Sequence, residues 1–493
     1  MKNSLPHLCL ENIFLNLEQD SKTLHSCVLV NKQWSISSVP ILWRDPFRLC
    51  QNLRKPEKLV PLLNTYLSFI PSYTQERLEI TSKKIIGRPT IFNYPVYLRS
   101  ISVVLIHGSV EYWTDSIFGA DSFPLQKITP ICKVLCEYFL CNSSRIDYLD
   151  LEYAANWFNI FDLDGATTSL SSIQSVIIDD QQSFPDQFEN LSSVMKNARY
   201  LRLSLRNRKN VPVCKNVINL LQTQKYLKKI SLFSHVSDFF QNIWDSLASS
   251  PLLHKSLTSI EIHEATFDDS SLLQLSKFYN LQHLKFYRCR NFTGDIQEID
   301  DSSVFQNLSQ LIICKIQMDS RILEFILKKS NTNLNVLEFH DHNITDFHKT
   351  VLWCIGFCKN LTRFVASIQV NQISDIILLF KECKKLEYFH IYDAKLLFED
   401  EEEPWDEYRP PELELFNATE LLEELGSCIP ITMRTIKVWM NWLITIEDIE
   451  AFVSKCVNFN LNMKVIEFRH CKGFGNAHKE VIKNYLLNNK SLM

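Results

Sequence analysis

An α/β fold is predicted, with a three-helix unit at the N-terminus and, behind it, a solenoid whose curved parallel sheet lies inside and whose helices lie outside. Three observations predict it. Short apolar stripes at helical spacing fill residues 1–46; the pattern L-x-x-L-x-L, with other apolar residues allowed, recurs from Leu98 onward; and helix-period runs precede several of those recurrences. The chain has 493 residues, 46% of them hydrophobic and 22% charged, which is enough to bury a sizeable core and too apolar for overall disorder.

In residues 1–46, Leu10, Ile13, Phe14 and Leu17 follow the i, i+3, i+4, i+7 rule of one helical stripe. Asp20 and Ser21 cap a second helix expected from about Lys22 to Asn31, with its stripe at Leu24, Cys27, Val28 and Val30. A third helix is expected from near Lys32 to before Pro46. So small a unit buries too little of its own surface, so part of its apolar surface is expected to face a partner.

The segment reads Leu5-Pro6, Ile13-Phe14-x-x-Leu17, Leu24-x-x-Cys27-x-Leu29-Val30-Asn31-x-x-Trp34 and Leu42-Trp43. In that order it resembles the F-box, a motif that docks onto the Skp adaptor of a cullin-based ubiquitin ligase. The resemblance implies that Leu5, Pro6, Ile13, Phe14, Leu17, Leu24, Cys27, Leu29, Val30 and Trp34 either contact the adaptor or hold the three helices together, and the sequence does not separate the two roles. It also implies the Skp adaptor and, through it, cullin as partners.

Residues 47–97 are expected to form a helical linker that packs the N-terminal unit onto the first repeat, with Leu59, Leu62, Leu63, Tyr66 and Leu67 on one helix face. Residues 98–493 are the repeat region. Its pattern starts at Leu98, Ile146, Ile173, Ala198, Leu227, Leu257, Leu281, Leu308, Leu334, Leu361, Leu386, Met433 and Met463, at intervals that average 27 once the two long ones, 48 and 47, are set aside. In Leu281-x-x-Leu284-x-Phe286-x-x-Cys289 the anchors alternate as a short strand, and Ile373-x-x-Ile376-Ile377-x-x-Phe380 ahead of Leu386 is a helix-period run. Asn or Cys recurs just before the strand, as in Asn280-Leu281 and Asn307-Leu308. Helix and strand alternating at this pitch stack into parallel strands on one side and helices on the other. The repeats look like the cysteine-containing leucine-rich repeats that follow the F-box in many fungal F-box proteins.

Composition removes other classes. Only 9 glycines occur, and no glycine-rich phosphate loop or nucleophile elbow is present, which disfavours nucleotide-binding enzymes and α/β-hydrolases. Few backbone positions of such a solenoid are expected to require glycine. With 52 basic and 56 acidic residues the formal charge is −4 and no basic block stands out, so neither a nucleic acid nor a membrane surface is an expected partner. No apolar run approaches the roughly 20 residues that span a bilayer. The 15 cysteines lack any C-x-x-C pair and suit free buried thiols, so the expected location is cytoplasmic, nuclear or both.

His340-Asp341-His342 with His348 offers metal-ligand chemistry, but it falls where a repeat's loop begins, and no metal or other cofactor is expected. Cys132 with Cys136, and Cys354 with Cys358, lie four apart among apolar neighbours and read as packing. The run Glu399-Asp400-Glu401-Glu402-Glu403 marks an acidic insertion near 399–412, because such a run cannot sit in a core. Alternate strand residues point away from the helices, and the C-terminal repeats place aromatic and Arg side chains there. Tyr287, Tyr392, Trp439 and Arg469 are the candidate substrate-binding residues. No catalytic residue is expected. The resemblances imply a substrate-recognition subunit of a Skp-cullin-F-box ubiquitin ligase, and a binding scaffold outside any ligase is the alternative.

Overall fold

The fold is described from a computed structural model, for residues 5–490 apart from 19, 53–55, 81–89, 120–123, 154–156, 180–184, 206–210, 235–236, 269, 293–295, 297–298, 300–303, 317, 341–346, 370–371, 394–415 and 459–460. The expected acidic insertion lies outside the described residues, as do Asp341 and His342. The chain divides into two units, Met1–Leu227 and Lys228–Met493.

The first unit opens with helices α1 (His7–Leu15), α2 (Ser21–Val28) and α3 (Lys32–Leu42). Two side-chain caps set their boundaries. Asp20 accepts the Thr23 N–H at 3.0 Å, and Asn31 accepts the Trp34 N–H at 2.9 Å. Because Asn31 is the extended residue that starts α3, α2 ends at Val28 rather than running to Asn31 as expected. Leu10, Phe14, Leu24, Cys27 and Ile41 form the core among the three helices, with Leu17 and Trp34 packed against it.

Helices Pro46–Asn52, Leu59–Leu67 and Ser72–Arg77 follow. Near them, Trp43 stacks on Tyr94 with ring centroids 3.8 Å apart, and Tyr66, buried on the second of these helices, meets Phe139 edge-on at 4.8 Å. Strands β1 (Ser100–Ser102), β2 (Tyr148–Asp150), β3 (Ser175–Asp179) and β4 (Tyr200–Leu205) pair in parallel in sequence order. The long interval between Leu98 and Ile146 holds two long helices, Val103–Phe118 and Ile128–Asn142.

The second unit repeats the scheme. Its strands are β5 (Lys229–Ser234), β6 (Ser259–His263), β7 (His283–Tyr287), β8 (Gln310–Cys314), β9 (Val336–His340), β10 (Arg363–Ser367), β11 (Tyr388–Tyr392), β12 (Phe416–Asn417), β13 (Thr435–Trp439), β14 (Trp442–Leu443) and β15 (Val465–Arg469). All but β12 and β14 pair in parallel in sequence order, and those two pair with each other. Each of the thirteen predicted starts lies two residues ahead of a strand, and none is more than 2% exposed.

Register explains that regularity. Leu284, Leu311, Leu337, Phe364, Phe389, Ile436 and Ile466 align strand to strand as one buried row. Burying each such side chain is worth roughly 1.5–3 kcal/mol, so every repeat is held by its neighbours. Asparagines add polar ties: Asn280, Asn307 and Asn360 donate to the carbonyls of Lys255, Tyr279 and Thr332 at 2.8, 2.9 and 2.7 Å, one repeat back. The Asn that recurs ahead of the strands in the sequence is this bond.

The glycine expectation needs correction. Among the described residues nine non-glycine residues have positive φ, including Glu264, Arg288, Lys315 and His470, each directly after a strand. The repeat does contain left-handed turns, and at these four strand ends it fills them with charged or polar residues, at a backbone cost of roughly 1–2 kcal/mol each. Gly165 is a true requirement: its φ is +81°, and a Cβ there would stand 2.8 Å from the Cys141 amide nitrogen.

All 15 cysteines are free thiols. Cys132 and Cys136 are fully buried, and burial pushes the Cys136 thiol up to about 12, as expected of packing residues. No helix among the described residues is long and apolar enough to cross a membrane.

Candidate functional site

The N-terminal helices sort the ten predicted residues into two groups. Phe14, Leu24 and Cys27 are buried between the helices, Phe14 meeting Trp34 edge-on at 5.3 Å, and Leu17 is half-buried beside them. These hold the unit together. Leu5, Ile13, Leu29 and Val30 are instead 50%, 47%, 74% and 56% exposed, and Pro6 is exposed with them. Val30 therefore does not belong to the buried stripe of α2, because the helix has already ended. Leu8 and Ile36 are also exposed and were missed, since neither stands in the motif. Among the described residues, six of the sixteen exposed large apolar side chains fall between Leu5 and Ile36. The Gln33 side chain donates to the Leu5 carbonyl at 2.6 Å, which ties the leading Leu5-Pro6 segment to the start of α3 beside Leu29 and Val30.

In the second unit, alternation turns the first, third and fifth residues of each strand away from the helix side. Register sets Tyr392, Trp439 and Arg469 in one row, on β11, β13 and β15. Trp439 is half-buried and Arg469 exposed, and the Arg469 guanidinium lies over the Trp439 ring, 4.6 Å from its centroid. Tyr392 is only 4% exposed: it packs on Val365, and its hydroxyl bonds His340 Nδ1 at 2.8 Å. It acts as a support under the face. Tyr287 stands on β7 in the same row as His263 of β6, five strands from β13, so it is not in one cluster with Trp439 and Arg469.

Residues outside the predicted set complete the face. Glu338 binds Arg363 Nε through Oε1 at 2.5 Å and His340 Nε2 through Oε2 at 3.1 Å. Arg363 also lies over the Tyr388 ring, 3.7 Å from the centroid. On the last strands Glu467 takes Lys437 through Oε2 at 3.1 Å and Arg469 through Oε1. Burial alone would raise the Glu338 carboxyl, but the hydrogen bonds from His340 and Arg363 and the guanidinium charge bring it down to about 2. His390, 4.6 Å from Trp439 ring to ring, is pushed down to about 4 by burial and then by Lys437 and His340. Arg363 and Tyr388 were missed because they are the first residues of their strands. The alternation that picked out positions three and five of each strand points the first residue the same way.

His340 and His348 each pair with a carboxylate, Glu338 and Asp375. Among the described residues no three His, Cys, Asp or Glu side chains are grouped to hold a metal ion.

No known protein family model matches the chain, and no curated protein does. A crystal structure of a Bacteroides fragilis protein is similar over 52% of this chain and 68% of that one, at 13% identity and a TM-score of 0.23. So low a score bears on neither fold nor function.

Proposed function

We propose that this chain is the substrate-recognition subunit of a Skp-cullin-F-box ubiquitin ligase, in which the N-terminal helices are an F-box that binds the Skp adaptor and the leucine-rich repeats bind a protein substrate. The observation that carries the reading is the concentration of exposed apolar side chains at Leu5, Ile13, Leu29 and Val30, positions that match the F-box pattern. A water-facing group of this kind on so small a unit is what a partner would cover. The repeat face supports the second half, because aromatic rings carrying guanidinium groups are common anchors at protein interfaces. The chain then works by proximity: holding substrate beside the activated ubiquitin makes a bimolecular encounter effectively intramolecular. Its own residues perform no chemistry.

The test is capture of purified Skp adaptor by the full chain. Wild type retains the adaptor, and Ile13→Asp or the pair Leu5→Ala/Pro6→Ala weakens capture about tenfold or more with an unchanged circular dichroism spectrum. No capture by wild type would point to a scaffold outside the ligase.

A further inference from the structure

We propose that the strand face of β10 to β15 binds an acidic peptide segment in extended conformation, two of whose carboxylates are taken by Arg363 and Arg469. This rests on the reading of the repeats as a substrate-binding surface and names the class of segment they take.

The first argument is the balance of donors and acceptors. Both oxygens of Glu338 and both of Glu467 already accept hydrogen bonds or ion pairs from Arg363, His340, Lys437 and Arg469. Both ring nitrogens of His340 are engaged as well. By contrast, Arg363 and Arg469 each give only Nε to a carboxylate. A guanidinium carries five N–H donors in a fixed fork, so four on each arginine have no acceptor among the described residues. Among the described residues of this face spare donors outnumber spare acceptors, since the Trp439 indole N–H is unpaired as well, against the unpaired Nε2 of His390, and that balance fits a ligand rich in carboxylate and carbonyl oxygen.

Charge points the same way. Three cations, Arg363, Lys437 and Arg469, face two carboxylates, Glu338 and Glu467, on a chain whose formal charge is −4. The two forks are also oriented in advance: each guanidinium lies over an aromatic ring, Arg363 over Tyr388 and Arg469 over Trp439. Stacking holds the planar group in place and lowers the side-chain entropy lost when it binds.

Separation decides between carboxylates and phosphates. Register places Arg363 four residues along and three strands across from Arg469. At about 3.3 Å per residue and 4.8 Å per strand, the two are roughly 19 Å apart, which an extended peptide covers in about six residues. Two isolated forks at that distance suit two single carboxylates. A phosphate dianion is held best where two or three cations converge, and here each arginine is already shared with a glutamate.

The experiment pans random peptides of about a dozen residues, long enough to span both arginines, on the full-length protein and on Arg363→Gln/Arg469→Gln. Enriched peptides are then synthesised with their Asp and Glu kept, changed to Asn and Gln, or changed to phosphoserine, and binding is read by fluorescence anisotropy. The expected result is enrichment of Asp and Glu over the input, with a pair about six residues apart. Affinity falls about tenfold in the amide forms and enrichment is lost in the double variant. Neutral or basic winners, no winners, equal enrichment on the double variant, or phosphoserine forms that bind tenfold tighter than the carboxylates would each overturn the proposal. The double variant keeps its circular dichroism spectrum and its capture of the Skp adaptor. Failure of peptide selection with adaptor capture intact thus overturns this proposal alone, whereas loss of adaptor capture by wild type overturns the ligase reading.

Discussion

Ile13 and Phe14 are neighbours with opposite fates, and the contrast gives a direct test at the level of single residues. Phe14 is 1% exposed and Ile13 47%. Phe14→Ala should destabilise the chain by about 3–5 kcal/mol through lost burial and a cavity, read as a lower denaturation midpoint, whereas Ile13→Ala should shift that midpoint little. His470 tests the backbone: its φ is 61°, so His470→Gly should be neutral or stabilise by up to about 1 kcal/mol, and His470→Val should destabilise by about as much. The repeat face sets an acid response. The unfolded His390 takes a proton near its ordinary 6.5 while the folded one resists to about 4, so stability is lost as pH falls through that window. The Glu338 carboxyl is held at about 2 against an ordinary 4.5, so its contribution is complete above 4.5 and is lost between 4.5 and 2. Denaturation across pH should show both windows, with His390→Gln flattening the upper one and Glu338→Gln the lower.

At the scale of elements, the strand–helix repeat is tied backwards by hydrogen bonds as well as by its apolar rows. Asn307→Ala removes a donor to the Tyr279 carbonyl and should cost about 1 kcal/mol, read by hydrogen exchange as faster opening around β7 and β8. These ties are also why the repeat is so legible. Each start, from Leu98 to Met463, is a buried anchor two residues before a strand, so the same residue type is demanded at the same pitch. Where a demand is not periodic, the reading falters. The end of α2 depends on whether Asn31 closes one helix or caps the next, and only its bond to the Trp34 amide decides that. Tyr392 reads as a surface aromatic by alternation, yet Val365 on the adjacent strand and the bond to His340 draw it in. The division of the F-box-like motif into packing and exposed residues is equally hidden, because both groups are apolar and only three-helix packing separates them.

At the scale of the whole molecule, the proposed role rests on two surfaces, the exposed apolar side chains of the small helical unit and the arginine-bearing face of the repeats, and it joins them in one chain. The most direct test of that claim is hydrogen–deuterium exchange on the full chain with and without purified Skp adaptor. The expected result is slowed exchange in α1, in the turn at Leu29 and Val30 and in the first turn of α3, with β10 to β15 unchanged and free for substrate. Adaptor-induced protection on β10 to β15 instead, or no protection anywhere in residues 5–42, would contradict it.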